Sequence, residues 1–291
     1  YLDFTGRRRP SEATRHDLLG GFGVTEDEAE RLLGSPSQDP MPDGEAGLLR
    51  THIDQRIEAT RATDVVLPLD RIATTFNLGP LSRQLLSLAL CSETDGAIRR
   101  LYMYAWNDVS QRWPTMEFLL GLIQPTTAGR VLNMDGFFKS APLVRWSLLH
   151  TPHDSTEGPQ DPFLARTVRL NPSVVAWCIG GAELDPILDG CTSVVSALRT
   201  QRDLLMNRSE REPIDRSLAQ VGVPGAPTVV IIGPGGTGKT TLALQHLCTD
   251  ERRVLEVNAE ALVRPPKHAT ARIAALRRDA RMLNATLLID L

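Results

Sequence analysis

Lysine is scarce in this chain. Of its 32 basic residues only Lys139, Lys239 and Lys267 are lysines, so positive charge is written as arginine almost everywhere. That Lys239 is a lysine in such a sequence fits a site where a planar guanidinium fork has the wrong shape. Excess charge is lacking too: the net charge of −3 gives no reason to expect a polyanionic partner. Long apolar runs are missing; the longest, such as Thr228 to Ile232, are far too short to cross a bilayer, so no membrane partner is expected. The start, Tyr1-Leu2-Asp3-Phe4, has neither an initiator Met nor the charged-then-apolar pattern of a signal peptide, and a cytoplasmic location is expected. The four cysteines, Cys91, Cys178, Cys191 and Cys248, form no C-x-x-C pair, which argues against zinc and for buried thiols. There are no internal repeats.

The 291 residues, 42% hydrophobic and 23% charged, suit a globular protein of about two domains. Residues 1–61 read as a flexible arm with an Arg7-Arg8-Arg9-Pro10 start and two short helices, Thr25 to Leu33 and Gly47 to Ala59. Thr25 followed by Glu28 has capping-box spacing. Residues 62–198 read as a mainly helical, winged-helix-like domain. One buried stripe runs through Leu81, Leu85, Leu88 and Ala89, and another through Ile98, Leu101, Tyr102 and Ala105. A third runs through Met116, Leu119, Leu120 and Ile123 and stops at Pro125. Leu143 to Leu149 reads as helix, Phe163 to Leu170 as a half-buried strand, and Ser173 to Ile179 as a helix begun by Pro172 and stopped by Gly180-Gly181. Trp106, Trp113, Trp146 and Trp177 stand beside these stripes and are expected in the core. His150, His153 and Asp154 lack a further ligand at helical or strand spacing and make a poor metal site. Residues 199–225 read as a polar linker, with helix expected from Val194 to Met206.

The texture changes in residues 226–291. Thr228 to Ile232 is rich in β-branched residues, as a strand buried on both faces is. Gly233-Pro234-Gly235-Gly236-Thr237-Gly238-Lys239-Thr240 follows and fits G-x-x-x-x-G-K-[ST]. Glycines let a loop fold back so that several backbone N–H groups converge on phosphate oxygens, and the helix that follows adds its own unpaired donors. Gly233 through Thr241 are thus the expected nucleotide-binding residues. Lys239 supplies a point charge for the β- and γ-phosphates, and Thr240 offers a hydroxyl to Mg²⁺. Arg253 to Val257 then reads as strand, Ala269 to Met282 as helix and Thr286 to Leu291 as strand, the alternation of a parallel α/β sheet. Asp290, after Thr286-Leu287-Leu288-Ile289, stands where an acid can hold Mg²⁺ through water. Lys239 and Asp290 are the expected catalytic residues, Thr240 and Asp290 the metal residues, and ATP with Mg²⁺ the cofactors.

Gly-Pro-Gly-Gly-Thr-Gly-Lys-Thr-Thr followed by strand, helix and Leu-Leu-Ile-Asp resembles an AAA+ ATPase, a P-loop NTPase with a parallel ASCE-type sheet. The resemblance covers Pro227 to Leu291. It implies ATP hydrolysis coupled to remodelling or assembly of a protein partner, and a homo-oligomeric ring, commonly a hexamer, with an arginine finger from the neighbour. In that family a Glu follows the acid matched by Asp290, which places the base, the sensor residues and one strand of the sheet past Leu291. The ATPase domain is therefore expected to be incomplete here and the chain hydrolytically inactive by itself. Upstream, Phe76-Asn77-Leu78, the helix from Ser82, Arg100 to Asp108, Arg112-Trp113-Pro114-Thr115, Arg166 to Leu170 and Leu184-Asp185-Pro186 resemble a bacterial module. That module precedes AAA+ domains in winged-helix ATPases encoded with contractile injection systems. Two other classes stay open: a DNA-directed ATPase of initiator or transposition type, and a non-AAA P-loop kinase or regulatory nucleotide switch. Between Ala62 and Gly190 ten Arg/Lys stand against thirteen Asp/Glu, a balance of −3 that disfavours nucleic acid.

Overall fold

The computed structural model describes residues 43–63, 65–106, 113–124, 126–150, 162–195, 207–221, 228–248 and 253–291. Chain contacts divide it into two compact units, Tyr1–Gly181 and Ala182–Leu291.

The first unit is helical. Its elements are α1 (Asp43–Arg61), α2 (Pro68–Thr75), α3 (Pro80–Thr94), α4 (Gly96–Trp106), α5 (Met116–Ile123), α6 (Thr127–Leu132), α7 (Pro142–Arg145) and α8 (Pro172–Cys178). Strands β1 (Leu149–His150) and β2 (Arg169–Leu170) form a small antiparallel sheet, Leu149 opposite Leu170. Proline sets where α2, α3, α7 and α8 begin, since its missing N–H falls among donors that a helix start leaves unpaired anyway. Thr115 caps α5 by accepting from the Phe118 N–H, and Asn171 caps α8 by accepting from that of Ser173. Helix α3 is the hub, packed against α4, α5, α7, α8 and β2. Its buried face is Ser82, Leu85, Leu86, Ala89 and Ser92, which rotates the expected stripe by about one position: Leu81 and Leu88 are only half-buried. Tyr102, Leu119, Leu120, Leu143, Val168, Val174 and Trp177 complete the core.

Several expectations for this unit need correction. Leu143 to Leu149 is helical only as far as Arg145; Ser147 turns the chain at φ 52° and Leu149 enters β1. Phe163–Ala165 is a 3-10 turn rather than strand, and the ladder holds only Arg169–Leu170, with an isolated bridge between Thr115 and Thr167. Trp177 is buried as expected, but Trp113 and Trp146 are half-buried. Trp113 lies under the Arg169 guanidinium, 3.9 Å from its ring centre. The Thr25 to Leu33 helix, the Arg triplet, His153 and Asp154 lie outside the described residues.

The second unit contains β3 (Thr192–Val195), α9 (Arg208–Leu218), α10 (Lys239–Leu247), β4 (Arg253–Asn258), α11 (Ala259–Val263), α12 (Pro266–Met282) and β5 (Ala285–Asp290). The sheet order is β3-β4-β5, with β3 antiparallel and β5 parallel to β4. Val254 of β4 packs with Ala243, Leu244 and Leu247 of α10, while Leu255 and Val257 pack with Ala275, Leu276 and Ala280 of α12. Alternate residues of one strand thus face different helices, and both sides of the sheet are covered.

Four expectations fail in this unit. The sheet, expected to be parallel, is mixed, because β3 runs antiparallel to β4. Among the described residues Thr228 to Ile232 forms no ladder: Val230 and Ile232 are exposed, while Ile231 leans on the α10 cluster. A strand exists through a neighbour's hydrogen bonds, and β5 pairs on its β4 side alone among the described residues. Val194 and Val195 belong to β3 rather than to a helix. The polar segment read as linker contains the eleven-residue helix α9, tied to α10 where His246 Nε2 approaches Asp215 Oδ1 to 2.6 Å.

All four tryptophans lie before Gly181, so their fluorescence reports the first unit. Leu119 is fully buried, and Leu119→Ala is expected to lower the urea-unfolding free energy of that transition by roughly 2–5 kcal/mol.

Candidate functional site

The glycine loop is built as its sequence demands. Gly236 at φ 79° and Gly238 at φ 82° are left-handed, a region closed to most side chains. Gly238 is the N-cap residue of α10, and its carbonyl accepts the first helical bond, from Leu242 N–H at 2.9 Å. Lys239 turns back across the loop: its ammonium donates to the carbonyls of Gly233 at 2.9 Å and Pro234 at 2.7 Å. The Thr237 hydroxyl donates to the same Pro234 carbonyl at 3.0 Å. The loop therefore closes on its own cation, with Gly233 to Thr237 exposed along its outer surface. Thr240 is exposed and Thr241 half-buried.

Asp290 ends β5 and is exposed, in register with Asn258 at the end of β4. Asn258 is committed locally, accepting from the Ala261 N–H at 2.8 Å to cap α11. The structure thus brings Gly233, Pro234, Thr237 and Lys239 together. It does not join Asp290 to Thr240 or Lys239: no ion pair or hydrogen bond links them among the described residues.

The loop residues fit a phosphate chain. Two left-handed glycines, a helix start and a lysine ammonium converge there, and the carbonyls now bonded to that ammonium hold it at the loop. Thr240 and Asp290 are oxygen donors of the kind Mg²⁺ takes. No group of three or more His, Cys, Asp or Glu able to hold a metal occurs among the described residues, and a bound Mg²⁺ would need phosphate oxygens to complete its shell. Burial pushes the Cys178 thiol up to about 12 and raises those of Cys91 and Cys248 as well. Cys191 is buried, while the other three are only partly so.

A cluster that sequence reasoning missed lies deeper in the second unit. Arg278 is 0% exposed. Its Nη2 donates to Asp185 Oδ2 at 2.7 Å and its Nε to Asp279 Oδ1 at 2.8 Å. Asp279 Oδ2 in turn accepts the Asp185 backbone N–H at 2.7 Å. Desolvation raises the Asp279 pKa, opposed by Arg278 and by that N–H. The sequence signal was faint: an Asp-Pro turn and an Arg-Arg-Asp run, remote from each other in the chain.

Residues 23–190 match the family model described as "Winged helix domain, variant". The chain belongs to that family. The match spans α1 to α8, the β1–β2 pair and the Asp185 turn, so this winged-helix domain extends past Gly181 into the chain of the second unit. No curated protein and no solved structure matches the chain. No helix among the described residues is long and apolar enough to cross a membrane.

The glycines of the loop are not equivalent. Gly235 has neither a positive φ nor a neighbour within 4 Å of an added Cβ, whereas Gly238 is left-handed. Gly238→Ala is expected to strain the loop by about 1–2 kcal/mol. Hydrogen exchange at the start of α10 should quicken in Gly238→Ala and stay unchanged in Gly235→Ala.

Proposed function

We propose that this winged-helix protein binds ATP with Mg²⁺ through Gly233 to Thr241 and works as an AAA+ ATPase that remodels or assembles a protein partner. The supporting observation is the loop itself: left-handed Gly236 and Gly238 lead into α10, and Lys239 is held over Gly233 and Pro234. The loop N–H groups would take phosphate oxygens, and the Lys239 ammonium would leave its two carbonyls for the β- and γ-phosphates. Thr240 and Asp290 would hold Mg²⁺, the latter through water; the metal neutralises charge on the bridged phosphates. Both faces of the β3-β4-β5 sheet carry helices, as a nucleotide-binding α/β sheet does. A homo-oligomeric, hexameric ring, a cytoplasmic location and a role beside a contractile injection system follow from the resemblance alone.

Arginine cannot stand in for Lys239, because a planar fork does not fit a point-charge pocket. Titration with a fluorescent ATP analogue is expected to show binding lost in both Lys239→Ala and Lys239→Arg. Circular dichroism should be unchanged, since the ammonium bonds only exposed loop carbonyls. Near-normal affinity in Lys239→Ala removes the phosphate site.

A DNA-directed ATPase is the second reading, favoured by the winged-helix match. The balance of ten basic against thirteen acidic residues between Ala62 and Gly190 opposes it. The chain is expected not to retard duplex DNA in a gel at micromolar concentration and moderate salt. Salt-sensitive retardation would promote the DNA reading.

A further inference from the structure

We infer that Asp185 is a positioning residue for Asp290, acting through Arg278 and the helix that leads into β5. The inference rests on the nucleotide-site reading above and assigns that site a determinant in the family-matched segment.

Three observations carry it. The first is the burial of Arg278, a guanidinium with no access to water, whose charge is met inside the protein by Asp185 and Asp279. Asp279 is its chain neighbour, so the other acid shown binding it, Asp185, is the one brought from afar. The second is that the Asp185 turn is fastened to α12 more than once. Asp185 N–H donates to Asp279 Oδ2 at 2.7 Å, and Arg272 Nε donates to the Ile187 carbonyl at 3.3 Å. Asp185 Oδ1 meanwhile accepts the Ile187 N–H at 2.9 Å, which fixes the turn's own shape. Leu188 and Cys191, just beyond the turn, share a core with Leu276, Ala280 and Leu283.

The third observation is where α12 leads. Arg278 and Asp279 lie in its last turns; Leu283 closes the helix by donating to the Asp279 carbonyl at 2.9 Å, and left-handed Asn284 turns directly into β5. Leu287 of β5 packs against the same core, and Asp290 ends that strand. A shift of the end of α12 therefore moves β5 against β4 and carries Asp290 out of its place beside Asn258. The P-loop leads into another element, α10, which packs on the opposite face of the sheet in a cluster with Val254 of β4 and Leu288 of β5, apart from the core shared by Leu188, Leu276 and Leu287. Disturbing Asp185 should leave phosphate binding intact and degrade what Asp290 does.

Asp185→Asn tests this in the full chain. An amide keeps one oxygen but turns a donor toward either Arg278 or the Ile187 N–H. Two readouts are expected to move. Hydrogen exchange at Thr286 to Asp290 should quicken about tenfold or more, with that at Leu242 to Leu247 unchanged. Affinity for a fluorescent ATP analogue should keep its Mg²⁺-free value and lose most of its gain on adding Mg²⁺, as in Asp290→Ala. Arg278→Lys, which keeps the charge and gives up the fork, should move both readouts in the same direction by less; it carries the comparison if Asp185→Asn does not fold. Unchanged exchange in β5, or equal quickening in β5 and α10, overturns the inference. So does an intact Mg²⁺ gain in a variant whose β5 has loosened. If the unmodified chain binds no ATP analogue, the nucleotide reading falls instead, and exchange in β5 still decides whether Asp185 holds the strand.

Discussion

A guanidinium with no contact with water organises the second unit. Isolated in a protein interior, such a charge would cost several kcal/mol, so Arg278 can be buried only if acids are brought to it. Asp279 comes with the helix, but Asp185 comes from a turn 93 residues earlier. Once that turn is held, Leu188 and Cys191 enter the core and β3 lies along β4. The sheet therefore contains a strand from chain well upstream of the glycine loop. Asp185 and Asp279 together meet the buried charge, so each bond that Arg278 makes also fastens the turn to the helix.

The glycine loop obeys a different constraint, imposed by backbone conformation rather than charge. Two residues must be left-handed for the chain to double back before α10, and glycine does this without a Cβ clash. Lys239 then bonds the carbonyls that the loop turns toward it. These are local requirements, met by consecutive residues, so the loop keeps its form although the run before it has no ladder partner among the described residues. In the first unit the organising element is α3, whose small buried residues Ser82, Ala89 and Ser92 let α4, α5, α7, α8 and β2 all reach it.

What could be read ahead follows from range. The helices at 80–94, 96–106, 116–123, 172–178, 239–247 and 266–282 announce themselves by proline starts, caps and apolar spacing within a few residues of each other. The strands at 253–258 and 285–290 show as apolar runs, and the loop shows as a motif. Misread segments are those whose state is set elsewhere. Val194 and Val195 have no local reason to be strand until β4 is beside them, and Thr228 to Ile232, strand-like by composition, has no strand partner among the described residues. Leu143 to Leu149 reads as helix by composition but is interrupted at Ser147 to form the small β1–β2 pair.

By itself, then, the sequence determined the helical character of the first unit, the alternation of strand and helix after the glycine loop, and the conformation of that loop. Each depends on φ preferences, on proline's missing donor and on side-chain period, all properties of neighbouring residues. Only the tertiary structure decided that β3 joins the sheet, that Asp290 stands beside Asn258, and that Asp185 meets Arg278. Those pairings span long stretches of chain and are selected by burial. A buried charge accepts only a partner of opposite sign, and a strand acquires its ladder only from a neighbour, so neither can be known until the core has assembled.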